Sequence, residues 1–362
     1  MNQQAFFALL KAGLWEQDDL RLSQFNDIDF SAIYDLAEKQ TVIGLVTTGI
    51  EHINDVTVPS AVVNKFVGKS MKVEKGNKAM NEFLEWFVER LRERDVHAIL
   101  VKGQGIAQCY EKPLWRVSGD IDLLLDDTDY EKAKVMLTPL SVDVEKENKI
   151  IKHIGMTMQG GLVVELHGTL HSRLSRRVER VNDEVQRDVF DGGKVRSWKN
   201  GGTTVLLPSP DNDVIYVFTH ILHHYYIGGI GLRQICDWCR LLWTYRESLD
   251  LSLLESRIRR AGLMSEWKVF AALAVDWLGM PAEAMPLYSP DKKWSRKAKS
   301  VVGFVLKCGN FGHNRKAQDS GKVRSAWSKT IDFANHACVF PLDSLKFYFH
   351  FLIDGIVLAF DK

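Results

Sequence analysis

A charge imbalance is the first thing this sequence lacks: 47 Lys and Arg stand against 46 Asp and Glu, for a formal net charge of +1. So balanced a chain offers no overall attraction for nucleic acid or an anionic membrane, and any basic site has to be local. Cysteine is sparse and odd in number, five in 362 residues, which excludes a disulfide framework and fits a reducing compartment. The first twenty residues, MNQQAFFALLKAGLWEQDDL, show no basic leader and no small-residue cleavage site, and Lys11 interrupts their apolar run. No secretory signal is read there, and a cytoplasmic location is the expectation. An uninterrupted spanning segment is missing too. The last apolar stretch, 342–360, carries Asp343, Lys346, His350 and Asp354, which favours a buried or interfacial helix over a transmembrane one. Internal repeats and low-complexity tracts are absent.

What remains is an ordinary globular composition, 46% hydrophobic and 26% charged, long enough for more than one domain. Residues 1–95 read as a helical arm with segments near 2–14, 30–53 and 60–95. Asp29 and Ser31 supply capping groups, and Pro59 is the clearest punctuation. In the third segment Met80, Phe83, Leu84, Phe87, Val88 and Leu91 recur at helical spacing and predict one buried stripe. From His97 the period changes to a strand near 97–102, a helix near 103–110, a strand near 119–125 and a helix near 128–138. Strands at 150–158 and 162–167 follow, joined through Gly160-Gly161, a pair that tolerates positive φ. Helix returns through the basic run at 173–180 and a short Gly-punctuated piece at 199–208. Ser209 then caps a helix with Pro210, Asp211 and Asp213 in its first turn, ending near Gly228-Gly229. A second begins near Gly231, and further helices are expected at 251–261, 264–278, 295–307, 325–337 and 342–360, with 309–324 as a loop. The expected fold class is α+β: a helical arm over 1–95, a small-sheet core with its extension over 96–208, and a C-terminal helical domain over 209–362.

The chemistry concentrates between Ala98 and His167. Asp120 and Asp122 lie two apart in an otherwise apolar strand, so they share a face with Cα atoms about 7 Å apart, while Ile121, Leu123 and Leu125 fill the other. Two like charges side by side ask for a cation, and hard Mg2+ (or Mn2+) suits carboxylate oxygens while keeping places for phosphate and water. In LVVELH a third acid, Glu165, sits on one face with Val163 and His167. If the two strands are adjacent, the three carboxylates converge as metal-assisted phosphoryl chemistry requires. Gly103 permits close backbone approach, Lys102 can supply a point charge, and Arg116 can hold a phosphate through its planar fork. His167 can hydrogen-bond to the acid or approach a metal. His220, His223 and His224 on one helix, with Cys236 and Cys239 on the next, allow a zinc site. Cys236 and Cys239 lie in an apolar helical pattern, however, and buried thiols are the better expectation. Arg233 and Asp237, four apart on one helix, read as an ion pair that helps the helices pack over the site. The basic runs near 173–180, 292–299 and 315–325 read as solvated faces.

The block LVKGQGIAQCYEKPLWRVSGDIDLLL followed by VVELHGTLH resembles a nucleotidyltransferase-like family of bacterial proteins within the DNA polymerase β nucleotidyltransferase superfamily. The specific match covers about 95–170 and is weaker over 220–237. The resemblance implies a mixed sheet with flanking helices and metal-dependent transfer of a nucleoside monophosphate from a nucleotide triphosphate to an acceptor. In it Asp120 and Asp122 match the metal-binding pair and Glu165 the third acid. The superfamily's usual Gly-Ser turn is here Lys102-Gly103. Its missing serine favours the alternative, a non-catalytic nucleotide-binding or partner-binding regulatory protein on the same fold, whereas all three acids favour the enzyme. The acceptor, a small molecule or a protein group, is not encoded in any motif read here.

Overall fold

The structure is a computed structural model, and it describes residues 2–309, 330, 333–334 and 336–349. Helices open the chain: α1 (Asn2–Trp15), α2 (Phe30–Lys39), α3 (Ile43–Glu51) and the 33-residue α4 (Ser60–Arg92). Asp29 caps α2 as its sequence position predicts, accepting from the backbone N–H groups of Ser31 and Ala32. The single helix expected over 30–53 is two. Thr41 takes φ +54 between them, and the Gln40 side chain, fully buried, accepts from Leu232 N at 3.0 Å and donates to Val305 O at 3.1 Å. A break in the helix is therefore what lets the arm bond to the C-terminal helices.

The core then alternates: β1 (Ile99–Val101), α5 (Gly103–Ala107), β2 (Asp120–Leu124), α6 (Asp127–Leu137), β3 (Ser141–Val144), β4 (His153–Met158), β5 (Val163–His167), α7 (Arg176–Phe190), β6 (Val195–Asn200) and β7 (Thr203–Pro208). One seven-stranded sheet results, in the order β3-β4-β5-β2-β1-β7-β6. Two parallel pairs, β2 with β5 and β1 with β7, sit among antiparallel ones, so the sheet is mixed and the α+β expectation holds. Strand β3 and the β6–β7 hairpin were not expected. Strand β3 is mostly exposed and its Ser-Val-Asp-Val alternation is too short to stand out, while β6 carries Arg196 and Lys199 along a half-exposed edge without regular apolar alternation. The Gly201-Gly202 punctuation is the hairpin turn, with Gly201 at φ +56.

Helices then follow: α8 (Pro210–Ile227), α9 (Leu232–Tyr245), α10 (Leu251–Ala261), α11 (Met264–Asp276) and α12 (Lys292–Cys308). Ser209 stands at the N-cap of α8 without a side-chain capping bond. The expected loop at 309–324, the basic run at 315–325 and most of the helices expected at 325–337 and 342–360 lie outside the described residues.

The sheet divides two apolar cores. On one face Met80, Leu84, Phe87, Val88 and Leu91 of α4 and Tyr130, Ala133 and Leu137 of α6 cover Leu100, Ile121, Leu123, Val164 and Leu166. The helical stripe read from the sequence is the one that lies on the sheet. The other face, carrying Ile99, Val101 and Leu124, joins a larger cluster to which α1 to α3 and α7 to α12 all contribute. Alternation places the polar members of β2 and β5 on that second face, under α8 and α9.

Candidate active site

Strands β2 and β5 are adjacent and parallel, with Asp120 opposite Val163 and Asp122 opposite Glu165. The convergence that depended on their adjacency is thus present: one ligand oxygen from each of Asp120, Asp122 and Glu165 lies within 4.8 Å of the others. Three hard oxygen donors at this spacing fit a divalent cation of the magnesium type. Asp122 is almost fully buried, and its flanking Ile121 and Leu123 are locked in the opposite core, so its orientation is fixed by hydrophobic registration.

At the end of β1 the chain turns sharply. Lys102 adopts φ +59 and Gly103 φ +43, a pair of left-handed positions in which the lysine is strained and the glycine is not. This geometry turns the lysine over the acids, and its Nζ stands 2.8 Å from Asp122 Oδ1. The same oxygen meets His167 Nε2 at 2.8 Å, while Glu165 Oε2 meets His153 Nε2 at 3.1 Å and His167 Nε2 at 3.5 Å.

Each charge shifts its neighbours. Asp120 is pushed up to about 6, first by the charge of Asp122 and then by burial, with Lys102 opposing. Burial alone would lower Lys102, yet the charge of Asp122, with Tyr216, Glu165 and Asp120 behind it, raises it and keeps the ammonium charged. Glu165 is held well below the usual carboxylate range: burial opposes this, and hydrogen bonds to His153 and His167 outweigh it. His167 moves up, because its bonds to Asp122 and Glu165 exceed the penalty of burial.

Helices α8 and α9 roof the acids and leave two clefts that share Lys102 and His220. One, of about 460 Å³, is lined by Gly103, Asp120, Asp122, Arg116, Arg233 and Asp237 among others. The second, about 780 Å³, runs past Glu165 and His167 to His153, His171, Tyr216, His223 and His224.

Arg116 lines the first cleft, but its fork is taken. Its Nε donates to Asp237 Oδ1 at 3.0 Å and its Nη2 to Oδ2 at 2.6 Å, while Nη1 reaches Ser118 at 2.9 Å. Tyr110 donates a further bond to Asp237, at 2.7 Å. The ion pair expected between Arg233 and Asp237 is therefore an Arg116–Asp237 pair, because the loop before β2 is tucked under α9. Asn77 of α4 holds that loop by donating to the carbonyls of Leu114 and Arg116, each at 2.7 Å. Arg233 instead donates through Nη1 to Val117 O at 2.6 Å, and its buried Nε has no hydrogen-bond partner among the described residues. It is the group that sequence reading passed over, since its i,i+4 spacing to Asp237 already gave it a partner. His153 was also missed, for nothing in its own strand marks it; only the antiparallel pairing of β4 sets it across from His167.

Of the residues considered for zinc, His220 and His224 stand in mutual contact, Nε2 to Nε2 at 3.1 Å, on the cleft wall. Cys236 and Cys239 are fully buried in the apolar cluster under α9, with thiols raised by burial. Among the described residues no group of potential metal ligands includes them.

A mixed sheet that presents D-x-D on one strand and a third acid on the parallel neighbour, after a tight strand-to-helix turn, has the frame of a nucleotidyltransferase. The chain belongs to the family described as uncharacterised nucleotidyltransferase, whose model matches residues 26–279. Among solved structures it is similar to an antigenic nucleotidyltransferase-like protein from Paracoccidioides brasiliensis, at 15% identity over 55% of this chain and 92% of that one, with a TM-score of 0.33. No curated protein matches it.

Proposed function

We propose that the chain transfers a nucleoside monophosphate from a nucleotide triphosphate to an acceptor in a metal-dependent reaction. The observation that carries this is the convergence of Asp120, Asp122 and Glu165 from two adjacent parallel strands at the mouth of the Lys102-Gly103 turn. These three would hold Mg2+ or Mn2+, which when bound neutralises developing phosphate charge and draws nucleophile and phosphate together. The chain's own groups supply the rest. Gly103 lets the backbone approach a phosphate, Lys102 offers its ammonium, and Arg233, with an unmatched Nε on the same cleft, takes the phosphate role that Arg116 has given up to Asp237. An acceptor oxygen attacks the α-phosphorus in line, the bond to the β-phosphate oxygen breaks, and pyrophosphate leaves with that electron pair. The acceptor's proton passes to a carboxylate of the cluster. Glu165, held ionised by two histidines, is better suited to ligation and orientation than to taking that proton. The His-lined cleft beyond it is the open side for an acceptor.

Incubation with α-labelled triphosphate and Mg2+ is the test: label should appear on an acceptor from a cell extract, and Asp120→Asn and Asp122→Asn should lose at least about 100-fold in rate while remaining folded. A second reading, a nucleotide-binding regulator without turnover, is favoured by one contact, the Lys102 ammonium standing on Asp122 where the superfamily's turn serine would leave room. Calorimetry separates the two. Metal-dependent binding accompanied by label transfer supports the enzyme, and tight, metal-independent binding with no transfer supports the regulator.

A further inference from the structure

The sheet builds a second cluster that overlaps the carboxylate triad at Glu165 and adds two histidines to it. His153 and His167 face each other across β4 and β5, and Glu165 lies one pleat away on the same face. Their ligand atoms, His153 Nε2, His167 Nε2 and Glu165 Oε2, all fall within 4.8 Å of one another. The two distances to the glutamate oxygen are 3.1 Å and 3.5 Å. An ion bound tetrahedrally at about 2.0–2.1 Å from each ligand requires donors about 3.3 Å apart. Both imidazole nitrogens therefore already stand from the glutamate oxygen at about the separation such an ion requires, and the two nitrogens lie within 4.8 Å of each other.

Donor type and surroundings agree with this. Two imidazoles with one carboxylate select a borderline-soft first-row ion over magnesium, which prefers oxygen alone. The strands fix the three side chains rigidly, and the fourth corner faces the cleft of about 780 Å³, the open position that sites of this ligand set keep for water or substrate. Three carboxylates, Asp120, Asp122 and Glu165, converge on this face, with Lys102 and Arg233 as the facing cations. His220 and His224 on the opposite wall add none, because burial, with Lys102 and neighbouring histidines behind it, keeps both imidazoles neutral.

We propose that His153, His167 and Glu165 form a zinc-type metal site, distinct from the Asp120–Asp122 position and sharing Glu165 with it. The site takes one Zn2+ and presents its free corner to an anionic oxygen or sulfur ligand in the histidine-lined cleft. It concerns the same sheet face as the proposed reaction but does not depend on nucleotidyl transfer taking place.

Tag-free, full-length protein dialysed against Zn2+ with millimolar Mg2+ present should retain one zinc. His153→Gln should weaken zinc at least about tenfold, whereas Asp120→Asn, which removes a nearby charge but no ligand atom, should weaken it less than His153→Gln does. Retention of zinc by His153→Gln at wild-type affinity overturns the site, and so does loss of zinc in Asp120→Asn alone, which would put the ion among the carboxylates. Should His153→Gln fail to fold, the Co2+-substituted wild type decides: two paramagnetically shifted imidazole N–H resonances support two histidine ligands, and none excludes them. Absence of zinc with label transfer intact sinks this site alone. Zinc bound at the histidines with no label transfer sinks the proposed reaction alone.

Discussion

Lys102 is the residue on which the site turns. Its ammonium, 2.8 Å from Asp122, stands where it partly neutralises that carboxylate, so the proposed metal would compete with the lysine for one oxygen. Lys102→Met should therefore tighten Mg2+ binding while weakening triphosphate binding by about 10- to 100-fold, the value of one charge-assisted phosphate contact. Isothermal calorimetry with each ligand checks both signs, and parallel losses of Mg2+ and nucleotide would contradict the competition. The two arginines of the first cleft should part company in the same way. Arg116→Met strands the buried Asp237 and should cost about 3–5 kcal/mol of stability in urea. Arg233→Met gives up a bond to a carbonyl and a share of the charge facing Asp237, so it should lower the urea midpoint less than Arg116→Met does and weaken triphosphate binding instead. From the sequence Asp120, Asp122 and Glu165 were legible because a strand's period of two fixes their faces. The partner of Asp237 was not, because a loop 121 residues away in sequence supplies it.

Among the elements, the crossing of α1 and α3 is the tightest. A Cβ on Gly13 would lie 1.9 Å from the Leu45 carbonyl oxygen, and one on Gly49 2.1 Å from that of Leu9. Backbone cannot yield as a side-chain tip does, so Gly49→Ala must push the helices apart. It should cost about 1–3 kcal/mol, read as a lower urea midpoint, with nucleotide binding retained in the folded fraction because the site lies on other elements. A midpoint unchanged from wild type would mean that the helices separate freely. Periodicity revealed most of these helices, and α4 with its buried stripe was read almost to its ends. It did not reveal the break at Thr41, since a single residue at positive φ leaves no mark on a pattern of apolar spacing. Edge strands β3 and β6 escaped for the converse reason: β3 is short and turns its valines to the surface, and β6 is a half-exposed strand rich in polar residues, so neither carries a long apolar face to read.

For the whole molecule, the buried join between α8 and α11 sets a dependence on pH. Glu266 is fully buried, accepts from Tyr226 at 3.2 Å, and is pushed up to about 8 by burial and then by Asp343. Its folded pKa exceeds its unfolded value near 4.5, so the folded state holds the proton longer. That group's contribution to stability must fall as pH rises from about 4.5 to about 8, with a slope of at most about 1.4 kcal/mol per pH unit. Glu266→Gln should flatten the wild-type decline in urea midpoint across that window, and a decline of equal slope in the variant would remove Glu266 as its source. Local chemistry and period determined the acid pair, its strand, the third acid, the long helix and the α+β class, since each of these is written in the pattern of its own segments of chain. Only the tertiary structure decided that β5 lies parallel beside β2, that Arg116 rather than Arg233 answers Asp237, and that His153 arrives beside Glu165. Those facts depend on which distant segments pair, and pairing is fixed by the packing of two cores against opposite faces of one sheet.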